Sequence, residues 1–396
     1  MKDSNHNYPK LASASTCTAC MTCIDSCNHG AISYYVDKLG FFKIKIDPEK
    51  CISCGLCSKR CPIINKKPVE KNSYLECFSA WCNDEALRSR SASGGVFAAV
   101  AMEVLQRGGV VYGASIDGLD IRHIRINQTS DLYKLQGSKY QPSILTGMYK
   151  SVRADLKSGL LVLFSGLGCQ IAGLYSFLGN ITYENLITID TICGGVASML
   201  PMINLRNKKK YSSILSFRDK DNGWKSRGFE YSLKMQTTKG SIEKLPANNM
   251  VLRTFSSKIG KRASCLNCSF SGIHRQSDCT IGDFWGIDIN TKEEEKGVSA
   301  LLVHSSRFMD LLKASNVTIN SVNWHDIALN NPCLYFSKSP AIQYFISRKF
   351  FLRALLKENY KHAAMILDNP ILSIESKIYN RFITKKKQIF LKKYIK

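Results

Sequence analysis

Residues 17–27 read CTACMTCIDSC and residues 51–62 read CISCGLCSKRCP. Each run spaces its cysteines as C-x2-C-x2-C-x3-C, and Pro62 follows the second run directly. This pair of runs constrains the chain more than any other feature, because four thiols at that spacing must wrap around something. It is the spacing that holds cubane 4Fe-4S clusters in pairs: three close thiolates bind one cluster and the fourth reaches the other. On that rule Cys17, Cys20, Cys23 and Cys61 hold one cluster, and Cys51, Cys54, Cys57 and Cys27 hold the second. Asn28 stands where a proline usually follows the first run, which leaves the ligands intact. Zinc takes thiolates from paired C-x2–4-C spacings and fits two identical four-cysteine runs poorly. A disulfide framework fits worse, since C-x2-C pairs make awkward bridges and no secretory signal precedes them.

The chain has 396 residues, 44% of them apolar and 22% charged, which suits two or three globular domains. Sixteen cysteines without an apolar leader at MKDSNHNYPK point to a reducing, cytoplasmic setting and to metal ligation. Residues 159–179 carry no charge over a length able to cross a bilayer. Five glycines interrupt them, so the expectation is a buried strand, a tight loop and a helix. The formal net charge of +24 calls for acidic partners. Part of it lies in RFITKKKQIFLKKYIK, residues 381–396, which reads as a solvated terminal helix packed by its apolar side, or as a peripheral membrane contact. No nucleic-acid motif accompanies the charge.

Between the cysteine runs, two β-rich pieces flank Asp37-Lys38-Leu39-Gly40 and predict a hairpin. NKKPVEKNS, residues 65–73, is a polar linker. After it come a helix near 95–106, a strand VVYGASI, a helix and strand at VRADLKSG–LLVLF and a strand at NLITID. A helix near 198–207, β-rich segments around SILSFRD and FEYSLKM, a turn at DNGW and strands at TIGDFWGID and VSALLVHS follow. From about residue 340 the pattern is helical and basic. The fold class expected is α+β: an N-terminal ferredoxin-like module, a mixed α/β flavin and iron–sulfur domain, and a helical basic C-terminus. The boundaries read 1–68, 75–150, 151–338 and 339–396.

Eight cysteines remain. Cys77, Cys82 and Cys333 read as buried structural thiols, and Cys279 as a core residue. Cys169 follows the strand LLVLF, Cys193 follows LITID, and Cys265 and Cys268 form a C-x2-C pair in SCLNC. Loops at the carboxyl ends of adjacent parallel strands meet at the usual ligand site of an α/β sheet. Spacing alone leaves two readings open: a third cluster, or buried thiols beside a lone C-x2-C or zinc knuckle.

The pieces SASGGVFAA, GSKYQPS, FSGLGCQIAG, TICGG, SFRDKDNGW, CLNC and TIGDFWGID occur in this order. Together they resemble the beta-subunit family of the coenzyme F420 hydrogenases and dehydrogenases, over roughly residues 75–335, with a two-cluster ferredoxin fused in front. The resemblance implies an FAD and a third 4Fe-4S cluster on Cys169, Cys193, Cys265 and Cys268. Two departures stand out: Leu167-Gly168 where members often carry Thr-Pro, and Gly194 where they often carry His. The same resemblance makes Ser91, Ser93, Gly94 and Gly95 a cradle for the flavin pyrophosphate at a helix start. The sequence lacks the G-x-G-x-x-G of a nicotinamide site. Ser138, Lys139 and Tyr140 are then a second flavin-binding loop, Lys139 facing negative charge and Tyr140 stacking. Arg218, Lys220 and Trp224 read as closing over a cofactor or anionic substrate, or as hairpin surface. Asp283 and Trp285 read as mainly structural, and His274 and Arg275 as serving an anionic substrate.

The function expected is an iron–sulfur flavoprotein oxidoreductase, passing electrons from a donor protein or partner subunit through 4Fe-4S clusters to FAD and an organic substrate or coenzyme. The alternatives are an electron-transfer subunit without a substrate of its own, and a membrane-surface assembly factor with structural clusters.

Overall fold

Among the described residues, thirteen strands follow the alternation and the apolar runs of the sequence. They are β1 Ile32–Val36, β2 Phe42–Ile46, β3 Glu76–Cys82, β4 Val110–Asp117, β5 Asp120–Ile126, β6 Val162–Gly166, β7 Leu186–Thr191, β8 Tyr211–Ser216, β9 Leu233–Thr237, β10 Ile242–Leu245, β11 Cys279–Asp283, β12 Ser299–Val303 and β13 Val317–Ser321. The computed structural model describes residues 8–66, 75–218, 220, 223–224, 232–288, 291–334 and 345–369, with positions 374, 377 and 381 beyond. Most of the polar linker, the first half of DNGW, the start of FEYSLKM and residues 382–396 of the basic tail therefore lie outside the described residues.

The body is one eight-stranded mixed sheet in the order β13-β3-β12-β11-β7-β6-β4-β5. β4, β6, β7 and β11 run parallel to their neighbours in that series, and the remaining pairs are antiparallel. The regions read as 75–150 and 151–338 thus contribute strands to the same sheet. β6 and β7 are apolar on both faces because helices cover both sides. On one side, Leu163, Ile187, Ile189, Leu301 and Val303 pack with Val96–Gln106 and Ser306–Ala314. On the other, Val162, Phe164, Leu186 and Tyr112 pack with Met148–Lys157 and Gly168–Leu178. The uncharged stretch 159–179 is accordingly β6, a short loop and a helix, and no helix among the described residues is long and apolar enough to cross a membrane.

β1 and β2 form the expected hairpin, Ile32 opposite Ile46 and Val36 opposite Phe42. Asp37 Oδ1 accepts from the backbone N–H of Leu39 (2.9 Å) and Phe41 (3.0 Å), which closes the turn. The apolar side of this module does not form a separate core. Met21, Ile24, Ile32 and Phe42 join the core that holds Tyr149, Phe164 and Phe177. The Asp25 carboxylate accepts from the N–H groups of Gly147 (2.6 Å) and Tyr149 (3.0 Å) at the start of Met148–Lys157. Arg60 Nη1 donates to Ser176 O (3.0 Å), and Ser176 Oγ donates back to Arg60 O (2.8 Å). The basic C-terminal helices Ile346–Leu356 and Tyr360–Asp368 pack on Leu200, Ile259 and Leu266, so this part of the C-terminus belongs to the body.

Gly40 sits at the join, with φ +75°, and its carbonyl accepts from Met199 N (2.9 Å). A Cβ there would stand 2.7 Å from Leu200 N. Gly40→Ala is expected to cost about 2 kcal/mol or more, combining left-handed strain with a backbone clash. Thermal unfolding of the variant checks this, and an unchanged midpoint would contradict the tight seating of the module.

Candidate redox site

The two cysteine runs coil alike. Positive φ recurs at the same offsets, at Ala19 (53°) and Met21 (65°) in the first run and at Ser53 (59°) and Gly55 (73°) in the second. Left-handed backbone is costly outside glycine, so these turns are held by what they enclose and by the packing around them. The backbone N–H of Ala19 points at Cys17 Sγ and that of Ala31 at Cys27 Sγ, both at 3.4 Å. A hollow of about 120 Å³ is lined by Cys17, Cys20, Cys23 and Cys61, with Leu11, Ile44 and Ile63 among its apolar walls. Those are the four thiols that the spacing rule assigns to one cluster. Cys17, Cys20 and Cys23 each sense the charge of Cys61. Cys57 instead senses Cys27 and Cys51.

The third group assembles from three loops. Cys169 sits in the first turn of Gly168–Leu178, directly beyond β6, and Cys193 lies just beyond β7. Cys265 ends up beside them on the short helix Ala263–Leu266, with Cys268 just after it. Cys169 senses the charges of Cys268, Cys193 and Cys265. Backbone N–H groups of Gly195, Val196 and Phe270 point at the sulfurs of Cys193 (3.3 Å), Cys265 (3.3 Å) and Cys268 (3.4 Å). Donors aimed at sulfur stabilise thiolate and tune a cluster's potential. Two glycines permit the closure. A Cβ at Gly168 would stand 2.7 Å from Phe270 O, and one at Gly195 would stand 3.0 Å from Cys265 Cβ. The loop that follows the C-x2-C pair lies directly over Gly168.

Burial pushes the Cys193 thiol up to about 12 and raises Cys17, Cys20, Cys57, Cys169 and Cys268 as well. Ligation must therefore displace protons from thiols that the fold keeps neutral. Positive charge nearby offsets the anion that ligation would create. Buried Lys261, held down to about 8 by desolvation, senses Cys193 and Cys265, and its Nζ donates to Gly195 O (3.2 Å). Among the described residues no three of His, Cys, Asp or Glu stand close enough to hold a single metal ion. In a cubane each thiolate takes a different iron, so wider separation is what such a ligand set has.

Cys333, which reads from sequence as a structural thiol, is close to this group. Its Sγ lies 4.0 Å from where a Cβ on Gly194 would stand, and Cys193 senses its charge. No spacing signal marks it, since it comes from a loop more than sixty residues beyond Cys268.

The structure gathers the residues expected to hold flavin, but several are already bonded within the fold. Ser91 Oγ donates to Leu87 O (2.8 Å) and Ser93 Oγ to Val298 O (2.8 Å). A Cβ on Gly94 would stand 2.5 Å from Ala80 O, so this glycine lets the turn lie against β3. Gly95, φ +83°, precedes Val96–Gln106 without a side-chain cap, leaving the first N–H groups of that helix for a ligand. Lys220 Nζ donates to Ser93 O (2.6 Å), Arg88 O (3.0 Å) and Lys296 O (2.9 Å), fastening the turn. Gln136 Nε2 donates to Ser91 Oγ (3.1 Å), which brings the second loop, with Ser138, Lys139 and Tyr140, beside the first. Lys139 is pushed down to about 7 by burial, and its Nζ donates to Gln136 O (2.6 Å). A buried amine with carbonyl partners suits an incoming anion. Tyr140 stacks on Phe255 at 3.9 Å between centroids, and Lys261 Nζ lies 4.1 Å from the centre of the same Phe255 ring. The loop that carries Tyr140 and the Lys261 side chain beside the third thiol group are therefore joined through one aromatic side chain. Arg218 pairs with Asp283 (2.6 Å), Trp224 Nε1 donates to Asp283 Oδ1 (2.9 Å), and Trp224 stacks on Trp285. Arg275 pairs with Asp190 at 3.4 Å beside the third group.

Comparison with known proteins bears on this arrangement. Residues 77–149 match the family model "Coenzyme F420 hydrogenase/dehydrogenase, beta subunit N-term" and residues 160–322 its C-terminal counterpart. Residues 16–63 match a 4Fe-4S dicluster domain. The chain belongs to the coenzyme F420 hydrogenase/dehydrogenase beta-subunit family, with a dicluster module in front. It is thus an iron–sulfur member of a family of oxidoreductase subunits. A chain of the xenon-derivatised F420-reducing NiFe hydrogenase complex from Methanosarcina barkeri is similar over 64% of this chain and 84% of that one, at 15% identity and a TM-score of 0.43. No curated protein matches.

His123 was not singled out by sequence reasoning. It is buried on β5, stacks on Phe164 (5.5 Å), and its Nε2 lies 3.0 Å from Ser165 O near the end of β6, four residues before Cys169. A carbonyl only accepts, so the neutral ring carries its proton on Nε2. Desolvation lowers its pKa from 6.5 to about 4. Between those values the unfolded chain binds the proton and the folded one does not, so stability is lost as pH falls from 6.5 to about 4. His123→Asn is expected to flatten that part of the pH profile, measured by denaturant unfolding. A slope identical to wild type would contradict a neutral buried imidazole.

Proposed function

We propose that the chain is an iron–sulfur flavoprotein oxidoreductase that carries electrons from a low-potential donor to an organic substrate or coenzyme. The observation that carries this reading is the contiguity of the thiols. Tyr149 Oη is 3.0 Å from the carbonyl oxygens of both Cys20 and Gln170, and a Cβ on Gly173 would stand 3.2 Å from Cys20 Cβ, so the first cysteine loop of the module lies against the helix that carries Cys169. Bound 4Fe-4S clusters supply one-electron steps, and FAD supplies the junction between these and hydride chemistry. Cys17, Cys20, Cys23 and Cys61 would hold one cluster, Cys27, Cys51, Cys54 and Cys57 another, and Cys169, Cys193, Cys265 and Cys268 a third. Lys139 would answer the negative charge of the flavin, Tyr140 would line its ring, and the backbone at Gly95–Val96 would meet its pyrophosphate. Lys261 and the N–H groups of Gly195, Val196 and Phe270 hold negative charge on the sulfurs, while the apolar walls exclude water.

A second reading is an electron-transfer subunit that docks to a catalytic partner and binds no flavin. It is favoured by the Ser91 and Ser93 hydroxyls, which already have partners within the fold.

Iron, sulfide and flavin counted per chain after anaerobic purification separate the two. About twelve irons with one FAD are expected for the flavoprotein. About twelve irons without flavin, even after reconstitution, would leave the electron-transfer subunit, and about eight would remove the third cluster.

A further inference from the structure

The two groups of the module differ in what surrounds them. Cys54 is the exposed cysteine among the sixteen, while Cys20 is buried. Beside Cys54, Ile52 is 60% exposed, and the side chains of Lys50 and Lys59 are also at the surface. Cys23 of the inner group senses Cys57 of the outer group, and Cys20 of the inner group lies within reach of Cys169.

The helix Gly168–Leu178 makes the second of these contacts. Cys169 is in its first turn, and Gly173 follows one turn later on the same side. A Cβ on Gly173 would stand 2.5 Å from Thr22 Oγ1, 3.0 Å from Tyr149 Oη and 3.2 Å from Cys20 Cβ. Only a residue without a side chain lets the Cys20 loop lie on this helix. Fully buried Tyr149 then spans the gap. Its hydroxyl is 3.0 Å from the carbonyl oxygen of Cys20 and 3.0 Å from that of Gln170, the residue after Cys169. Arg262, close in sequence to Cys265, donates to Thr18 O in the first cysteine loop.

We propose that these contacts set the order of electron passage. With clusters bound, Cys27, Cys51, Cys54 and Cys57 would hold the entry centre, facing a small acidic one-electron carrier protein docked at the Cys54 face. Cys17, Cys20, Cys23 and Cys61 would hold the next, and the Cys20–Tyr149–Cys169 contact over Gly173 would lead to the third group. Each step oxidises one centre by one electron and reduces the next, and no bond or proton need move. Tyr149 is a positioning residue: its hydroxyl ties the two ligand-bearing backbones together. Exposed Lys59, Lys50 (whose ammonium also lies 3.6 Å from Asp47) and the chain's net charge of +24 favour an acidic carrier. This order rests on the three-cluster reading given above.

The test uses the full chain, loaded anaerobically and reduced, with electron paramagnetic resonance as readout. Cys54→Ala is expected to leave the spins of the two remaining clusters interacting. Cys20→Ala is expected to leave two clusters whose spectra add without interaction. Interaction that persists in Cys20→Ala and vanishes in Cys54→Ala overturns the order. Tyr149→Phe and Gly173→Ala keep every ligand and guard against a ligand variant that does not fold. Both should retain the wild-type iron count. Reduction of their third cluster by a reduced two-cluster ferredoxin, followed by rapid freezing, should slow by roughly tenfold or more. An unchanged rate in both overturns the proposal. Added salt should slow reduction of the outer cluster by the same ferredoxin, and a salt-independent rate overturns the acidic-carrier part. A wild-type chain with about eight irons fails the three-cluster reading, whereas about twelve irons with the reversed pattern of interaction fails this order alone.

Discussion

The architecture depends on one shared apolar contact, between the ferredoxin-like module and the helix-covered face of the large sheet. Met21, Ile24, Ile32 and Phe42 from the module meet Tyr149, Phe164, Ile171 and Phe177 from the body in a single core. Each such side chain contributes about 1.5–3 kcal/mol when fully buried, so the contact holds the module firmly. A two-cluster module is small and would bury little apolar surface alone. By lending its apolar side to the sheet it gains a core, and its first cysteine loop is brought onto the helix that carries Cys169. Gly40 and Gly173 mark where the two backbones come closest.

That burial creates an electrostatic problem which the polar groups then answer. Thiols removed from water resist ionisation, and thiolates placed there need compensation. The compensation is partly backbone, through N–H groups turned toward sulfur by left-handed residues, by the loop after β7 and by the segment after the C-x2-C pair. It is partly cationic, through Lys261, Arg275 and Arg348 around the third group. Arg348 comes from the basic C-terminal helices, so some of the positive charge conspicuous in the sequence serves the interior rather than an outside partner. The same economy appears at the proposed flavin segments, where Lys220 fastens a turn and Arg218 pairs with Asp283 instead of facing solvent.

Much of the fold was legible. The hairpin at Asp37–Gly40, the strand–loop–helix at 159–179 and the positions of Cys169 and Cys193 beyond parallel strands follow from local chemistry: turn residues, unbroken apolar runs and interrupting glycines. Other features were not. Cys333 and His123 reach the site from distant parts of the chain and carry no spacing signal. The hydroxyls of Ser91 and Ser93 look free in sequence because their acceptors, Leu87 O and Val298 O, are backbone atoms that any residue would supply.

The amino-acid sequence by itself determined the chemistry of the module: eight thiols at the fixed spacing of a 4Fe-4S dicluster domain. It also determined the family, through short motifs in a constant order. Only the tertiary structure decided that the module shares a core with the body, that Cys20 faces Cys169 across Gly173 and Tyr149, and that Cys54 is left at the surface. The physical reason is range. Ligand spacing and turn chemistry act over a few residues and can be read along the chain. Contact between Cys20 and Cys169 needs a helix without a side chain at one position and a buried tyrosine at another, and that complementarity exists only once the sheet has brought the segments together.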